Sequence, residues 1–222
     1  MRYIVDFQSL NPYLPTYVKG IGMTILFSTL AICLSFALGL PWVAMRMSSN
    51  RVASRVARGY VEFVRNVPLL VWLYCAYFGL ASLGLHLSGF AAALLAFTVY
   101  GVAYTTEIYR AGILSVPRGQ WEAADALGLS RPAIWRRVVL PQALRAAFHP
   151  LGNLVIASVL GSSLVVVLSV PDLTTAADDA GVATFRYFEA FVLAAVCYIV
   201  AAQLIQAVWR GVGARAFPVY VR

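Results

Sequence analysis

The chain has 222 residues, of which 61% are hydrophobic and 12% are charged, and its formal net charge is +8. Soluble domains are about half apolar and a quarter charged, so this composition excludes an ordinary soluble domain and indicates a membrane protein. The three cysteines lie inside apolar runs without a CxxC spacing, which predicts neither a disulfide framework nor a metal site.

Five segments are apolar enough to cross a bilayer, which requires about 20 mostly apolar residues. They cover roughly residues 20–45, 60–80, 89–109, 146–170 and 188–209. Pro41, near the end of the first segment, is a candidate kink. The second segment is the least regular, because Glu62 and Arg65 lie in its first turns and Pro68 follows, and its polar opening also suits a helix at the membrane edge. The sequence therefore predicts an all-α integral membrane protein with five transmembrane helices.

The basic residues gather in three stretches that the five crossings place on one side of the membrane. Their arginines are Arg46, Arg51, Arg55, Arg58, Arg110, Arg118, Arg131, Arg136, Arg137, Arg145, Arg210, Arg215 and Arg222. The other side carries only Arg2, Lys19 and Arg186. Loops rich in arginine and lysine stay in the cytoplasm, so we predict that the N-terminus faces out and the C-terminus faces in. The positive charge is therefore a topology signal and does not indicate binding to nucleic acid.

Between the third and fourth segments, residues 118–141 form a polar, arginine-rich stretch with strong helix signals. Ser115 is placed to cap a helix that begins near residue 116, and Gly128 suits the left-handed conformation that ends it. Ser130 is placed to cap a second helix, which Pro141 closes or bends into the next crossing. We therefore expect a helix, a glycine corner and a second helix at the membrane surface.

The first of these helices carries a face of small side chains. Ala123, Ala124 and Ala126 lie between Trp121 and Leu127, and small residues let another surface approach a helix closely. Such a face fits the groove of a partner protein. The same stretch fits equally an amphipathic helix that rests on lipid headgroups, with its arginines on the phosphates. The residues alone leave these two alternatives level.

Motifs in and around this stretch resemble the permeases of bacterial ABC importers. The EAA loop of that family reads EAA-x3-G-x9-I-x-L-P, and this chain matches it from Glu122 to Pro141 except for Val138 in place of the isoleucine. Other runs are similar to motifs of its polar amino acid uptake branch: FVRNVPLL at 63–70, AYTTEIYRAGI at 103–113, GQWEAA at 119–124 and LPQALR at 140–145. The resemblance extends over nearly the whole chain.

This resemblance implies a permease subunit of an ATP-driven ABC importer for a polar amino acid in the bacterial inner membrane, with residues 1–222 as one transmembrane domain. The implied partners are ABC ATPase subunits, an extracytoplasmic amino-acid-binding protein, a second copy of the permease or a homologous permease, and membrane lipid. The permease itself is expected to contain no catalytic residue, metal or cofactor, since ATP binds to the ATPase subunits. The segment 115–141, which we name the coupling elbow, is expected to dock on the ATPase through Gln120, Trp121, Glu122, Ala123, Ala124, Leu127, Gly128 and Pro141.

One motif departs from the family. The family usually places Lys or Gln, then Asp-Thr-Ser-Leu, in the crossing after the loop, whereas residues 160–164 here read LGSSL, without the charged pair. Polar groups inside a membrane usually face protein or water. The candidates for the substrate pathway are therefore Asn153, Ser158, Ser162 and Ser163. Hydrogen bonds between helices are an equally good explanation of these residues. The run VLSVPD at 167–172 is similar to glutamate/aspartate-type members, which favours those substrates weakly.

Two other functions compete with this interpretation. A secondary carrier, which needs neither ATP nor a partner, has a similar composition and is the alternative function. A membrane protease with Ser162 or Ser163 as nucleophile requires a base within hydrogen-bond reach, and His149 lies at the opposite end of the same crossing.

Two pairs of charged residues have the spacing of ion pairs on a helix, Glu107 with Arg110 and Glu62 with Arg65.

Overall fold

The computed structural model of the chain describes residues 3–217, so Arg2 and Arg222 of the charge pattern lie outside the described residues. Every regular element in that range is a helix. The helices are α1 (Leu14–Arg46), α2 (Arg51–Arg65), α3 (Leu69–Ser82), α4 (Gly89–Leu114), α5 (Arg118–Ala126), α6 (Arg131–Leu168), α7 (Leu173–Thr184) and α8 (Tyr187–Ala216). A 3₁₀ turn, Gln8–Tyr13, leads directly into α1.

Four helical stretches of the described chain are long and apolar enough to cross a membrane: Gln8–Arg46, α4, α6 and α8. Helices α2 and α3 pass the same test only as a bent pair, which gives five spans if the pair counts as one. The all-α membrane fold is therefore confirmed. The helices extend beyond the apolar segments because backbone hydrogen bonding continues into their polar ends. Helix α1, for example, continues through Pro41 to Arg46 without a break.

The chain divides into two compact units, the first of which comprises Met1–Ile32, Pro68–Phe97 and Ile156–Val208. Its main core surrounds Phe27, which is fully buried and meets the rings of Phe90 and Phe97 edge-on, with centroids 5.7 and 4.9 Å away. The neighbouring positions of α4 are small and buried, namely Ala92, Ala93 and Ala96. Such small side chains allow the helices to pack at close range without losing burial.

Helix α7 of this unit begins at a buried carboxylate, Asp172. Its Oδ1 accepts hydrogen bonds from the backbone N–H (2.9 Å) and the hydroxyl (3.1 Å) of Thr175, and its Oδ2 accepts one from the Tyr198 hydroxyl at 3.1 Å. The next residue, Leu173, donates its N–H to the Thr24 hydroxyl. Burial raises the pKa of Asp172, although the bonds from Thr175 and Tyr198 partly oppose this rise.

The second unit comprises Cys33–Val67, Thr98–Val155 and Trp209–Arg222. Trp42 stacks on Tyr60 with ring centroids 4.0 Å apart, and the Tyr60 hydroxyl donates to the backbone oxygen of Val99 at 2.6 Å. In the same unit, Phe148 stacks on Trp209, whose indole N–H donates to the Phe148 carbonyl at 3.1 Å. This unit contains the whole coupling elbow.

Candidate functional site

Helix α5 of the elbow begins later than the sequence predicts. Its N-cap position is Pro117, whose backbone is extended (φ −57°, ψ 139°), and the helix starts at Arg118. The predicted cap, Ser115, instead donates its hydroxyl to the carbonyl of Gly112 at 2.7 Å. The prediction for Ser115 was wrong because this side chain satisfies an acceptor at the end of α4, two residues before the extended Pro117.

The glycine corner forms as predicted. Gly128 has a φ of +72°, donates its N–H to Asp125 at 3.0 Å, and is followed by a bond from Leu129 N–H to the Ala124 carbonyl at 3.2 Å. This pair of bonds is the Schellman arrangement, which satisfies the last carbonyls of a helix. Glycine is favoured here because the left-handed conformation carries a steric penalty for a residue with a Cβ.

The second elbow helix does not end at Pro141 but forms the start of α6. Ser130 occupies the N-cap position without a side-chain capping bond, and Pro132 lies in the first turn. Residues Trp135–Val139 then form a π turn, after which the helix continues as Leu140–Gly161. Proline has no N–H to donate to the preceding turn, and a π turn is a common way to absorb such a local irregularity. The elbow is therefore continuous with the next crossing.

The inner face of α5 is fixed by a small apolar core. Ala124 is only 3% exposed and packs with Ile134 and Val139, which are fully buried, and with Val116 and Ala143. Beside this core, the Trp121 ring meets Trp135 edge-on, with centroids 5.2 Å apart and planes at 86°. Gln142 adds a hydrogen bond from its side-chain amide to the Gln120 oxygen. These contacts join α5 to the first turns of α6.

The outer face of α5 is open. Glu122, Ala123 and Ala126 are exposed, and Leu127 is 80% exposed. Glu122 accepts a hydrogen bond from Arg118 at 2.9 Å, and such a solvent-exposed ion pair contributes little to stability. The predicted face of three alanines is therefore divided, since Ala124 packs against its own chain whereas Ala123 and Ala126 point away from it.

A charge cluster near the end of α4 includes one partner that sequence spacing does not reveal. Glu107 accepts bonds from Arg110 at 2.8 and 2.9 Å, as predicted, and also lies 3.4 Å from Arg46 Nε. Arg46 comes from the end of α1, so no local pattern indicates it. The predicted pair of Glu62 with Arg65 was wrong. Glu62 pairs with Arg58 at 2.7 Å, and Arg65 lies over the Tyr104 ring, 4.9 Å from its centroid.

The candidate pathway residues of α6 have different environments. Asn153 is exposed and belongs to the second unit, while the three serines belong to the first. Ser162 is fully buried and donates to the carbonyl of Val159 at 2.8 Å, so its hydroxyl is satisfied within its own helix. Ser158 and Ser163 are half-buried. Residues Ser162–Leu168 form a 3₁₀ segment at the end of α6.

The sequence and the fold both match known transport proteins. Residues 31–215 match the family model of the binding-protein-dependent transport system inner membrane component. The chain is 37% identical to the probable amino-acid ABC transporter permease protein YckA of Bacillus subtilis (strain 168), with 89% of this chain and 87% of that protein covered. It is 38% identical to the probable glutamine ABC transporter permease protein GlnM of the same organism, with 83% and 85% covered.

A chain of a solved crystal structure of an amino acid ABC transporter with histidines has the same fold. The TM-score is 0.91 at 36% identity, with 96% of this chain and 100% of that chain covered.

Proposed function

From the premise that this chain belongs to the family of binding-protein-dependent transport system inner membrane components, we propose how its coupling elbow works. The chain is the permease subunit of an amino-acid ABC importer, and a permease of this family is a transport subunit and not an enzyme. The outer face of α5 docks into a surface groove of an ABC ATPase subunit. The inner face transmits the motion of that subunit to α6.

The observation that carries the docking proposal is the division of α5 into two faces. A helix fixed by Ala124 on one side and open at Ala123 and Ala126 on the other presents a smooth strip of small side chains to a partner. Leu127 projects beside this strip, and burying a leucine side chain contributes about 1.5–3 kcal/mol. Such a surface suits the helix-in-groove mode of recognition.

Charge favours a protein partner over lipid headgroups for this face. Helix α5 carries Arg118, Glu122 and Asp125, which sum to a charge of −1. The cytoplasmic surface of a membrane is negative and attracts basic segments. An acidic helix is therefore poorly suited to rest on that surface, so lipid binding is the weaker alternative for α5 itself. The arginines of that alternative, Arg136, Arg137 and Arg145, lie in α6.

Transmission follows from the packing. Closure of the ATPase subunits on ATP pulls the seated α5, and the apolar core around Ile134 and Val139 passes this displacement to the start of α6. Because α6 is continuous from Arg131 to Leu168, the displacement reaches the spanning part of the same helix. The result is alternating access, in which the pathway opens to each side of the membrane in turn. ATP binds to the partner subunits and not to this chain.

The remaining parts of the importer are proposed on the same basis. The substrate is a polar amino acid, supported by the names of the similar permeases, and the weak preference for glutamate or aspartate rests only on residues 167–172. An extracytoplasmic binding protein delivers it, and a second copy or a homologous permease completes the pathway. The N-terminus faces out and the C-terminus faces the cytoplasm. The comparisons give no support to the secondary-carrier alternative.

A charge reversal on the open face tests the docking proposal. We expect Glu122→Arg to lower ATP-driven uptake about tenfold or more, because a reversed charge at an interface strongly disfavours the complex. The measurement is uptake of labelled amino acid by vesicles that contain the assembled transporter, normalised to the amount of permease. Arg210→Glu, a reversal at another exposed cytoplasmic position, serves as the control. Normal uptake by the Glu122 variant contradicts the proposal.

A further inference from the structure

Helix α2 presents three separate faces, and the proposed function uses none of them. Its buried face consists of Ala57, Val61 and Val64, which are at most 2% exposed and recur every three or four residues. Tyr60 at the edge of this face is held by the stack on Trp42 and by its hydrogen bond to Val99. These contacts fix the rotation of α2 about its axis.

The second face is apolar and exposed. Val52, Val56 and Phe63 are 70%, 53% and 64% exposed, and Gly59 lies between them with nothing within 4 Å of its Cβ position. The spacing of four, three and four residues places them in one stripe along the helix. The stripe extends from the first turn of α2 to its last.

The third face is basic. Arg51, Arg55 and Arg58 follow one another at spacings of four and three residues, directly beside the apolar stripe. Arg58 pairs with Glu62, but Arg51 and Arg55 make no ion pair among residues 3–217, and both are exposed. Asn50 caps the helix through bonds to Val52 and Ala53, so the backbone of this face is ordered from its first residue.

We propose that α2 lies along the cytoplasmic surface of the membrane as an anchor for anionic phospholipids. Val52, Val56 and Phe63 enter the boundary of the acyl chains, while Arg51 and Arg55 bind the phosphates of the headgroups. An apolar stripe beside a basic one is the pattern of a helix that lies in the interface plane. With 15 residues, α2 is about 22 Å long and cannot cross the hydrocarbon core by itself.

Charge complementarity selects lipid over a second protein copy as the occupant. A protein interface on the apolar stripe also covers the adjacent Arg51 and Arg55, and buried charges without partners are strongly disfavoured. A second copy brings the same arginines to that surface. Anionic headgroups on the cytoplasmic side supply the missing negative charge and leave the arginine heads in contact with water.

A fluorescent probe on each exposed face tests the depth of α2. The native cysteines are replaced by alanine, and bimane is attached to Val56→Cys on the apolar stripe or to Arg55→Cys on the basic stripe of the full chain in phospholipid vesicles. We expect a nitroxide on the upper acyl chain to quench the probe at 56 but not the probe at 55, and aqueous iodide to do the reverse. Val52→Cys provides a second probe on the same stripe.

Two outcomes overturn the anchor. Equal quenching of both probes by iodide places α2 in water. If neither quencher reaches residue 56, another protein surface covers the stripe. Both results are independent of transport activity, so they separate this proposal from docking of the elbow.

The headgroup is tested with the same probe at residue 56. Quenching by nitroxide-labelled phosphatidylglycerol is compared with quenching by nitroxide-labelled phosphatidylcholine, and we expect the former to be favoured. Arg51→Gln with Arg55→Gln is expected to reduce that preference by about fivefold per arginine. Arg210→Gln with Arg215→Gln removes the same charge elsewhere on the cytoplasmic side and is expected to leave it unchanged. An equal loss in both double variants overturns specific binding by α2.

Discussion

At the scale of single residues, Asp172 combines two roles at the start of α7. Its carboxylate caps the helix through Thr175, and its full burial raises its pKa. A raised pKa means that the folded chain holds this proton more tightly than the unfolded chain does. Stability from this group is therefore present at acid pH and decreases as pH rises through the ordinary aspartate range towards the raised pKa.

This linkage predicts the effect of Asp172→Asn. The variant keeps a capping oxygen but no longer titrates, so its melting temperature minus that of the unaltered protein should increase as pH rises from about 4 to neutrality. Asp172→Ala should show the same trend, but its free energy of unfolding should be lower than that of Asp172→Asn by about 1 kcal/mol at each pH, because it also loses the cap. Thermal unfolding in detergent measures both. If the asparagine variant follows the unaltered protein at every pH, the assignment of the proton to Asp172 is wrong.

The two glycines of α5 and its corner allow a matched comparison. Neither Gly119 nor Gly128 has any atom within 4 Å of its Cβ position, but only Gly128 has a positive φ, of +72°. We expect Gly128→Ala to destabilise the elbow by about 1–2 kcal/mol. Gly119→Ala lies in an ordinary helical turn and should be neutral or slightly stabilising. Protease digestion of the elbow measures local stability, and equal behaviour of the two variants contradicts the role assigned to the corner.

At the scale of elements, the two faces of α5 separate the contacts that fold the elbow from the surface proposed to dock on a partner. Ala124 fills a closed space next to Ile134 and Val139, whereas Ala126 has its side chain in the open. A larger side chain therefore has different consequences at these two positions, although they are only two residues apart.

A leucine at each position distinguishes the two roles. Ala124→Leu is expected to overpack the core and destabilise the chain by about 1–3 kcal/mol. Ala126→Leu should leave the melting temperature unchanged but reduce ATP-driven uptake, because it obstructs the docking face. Melting temperature and uptake are measured on the same preparations. Loss of stability in the Ala126 variant contradicts the division of α5 into two faces.

The elbow also shows what sequence can predict for an element. The corner at Gly128 was predictable, because its φ requirement and the spacing to Ala124 and Asp125 are local. The role of Ser115 was not, since its hydroxyl can bond either to the start of α5 or to the carbonyl of Gly112, and both partners are close in sequence. The continuation of α6 beyond Pro141 depends on a π turn, for which the residues give no clear signal.

At the scale of the whole molecule, the all-α membrane fold followed from apolar segments of sufficient length, and the structure confirms it. The described chain has four spans, or five if α2 and α3 count together as one. The segment that the sequence marks as least regular corresponds to α2 and α3, which pass the test for a span only when taken together and are bent by 104° at the break between them. Distant partners such as Arg46 and Glu107 were out of reach, because sequence spacing reports only contacts within one helix. The substrate pathway stays a prediction; within α6, Ser162 donates its hydroxyl to the carbonyl of Val159.

The predicted topology has a direct test. Phe185, which is 87% exposed, lies between α7 and α8, on the side predicted to face out, and Ser130 lies in the elbow, on the side predicted to face the cytoplasm. In a cysteine-free background, a maleimide that cannot cross membranes should label Phe185→Cys in intact cells and Ser130→Cys only after permeabilisation. The reverse pattern contradicts the orientation in which the N-terminus faces out.

The split between the inner and outer faces of α5 has a consequence for how such importers diverge. Substitutions at Glu122, Ala123, Ala126 or Leu127 alter a surface without disturbing the contacts of Ala124, Trp121 and Gly128 that fold the elbow. If the outer face binds the ATPase as proposed, such substitutions would change the partner while the fold of the elbow is kept. Under the proposed docking, a few changes on one side of this nine-residue helix would suffice for a permease to exchange one ATPase partner for another.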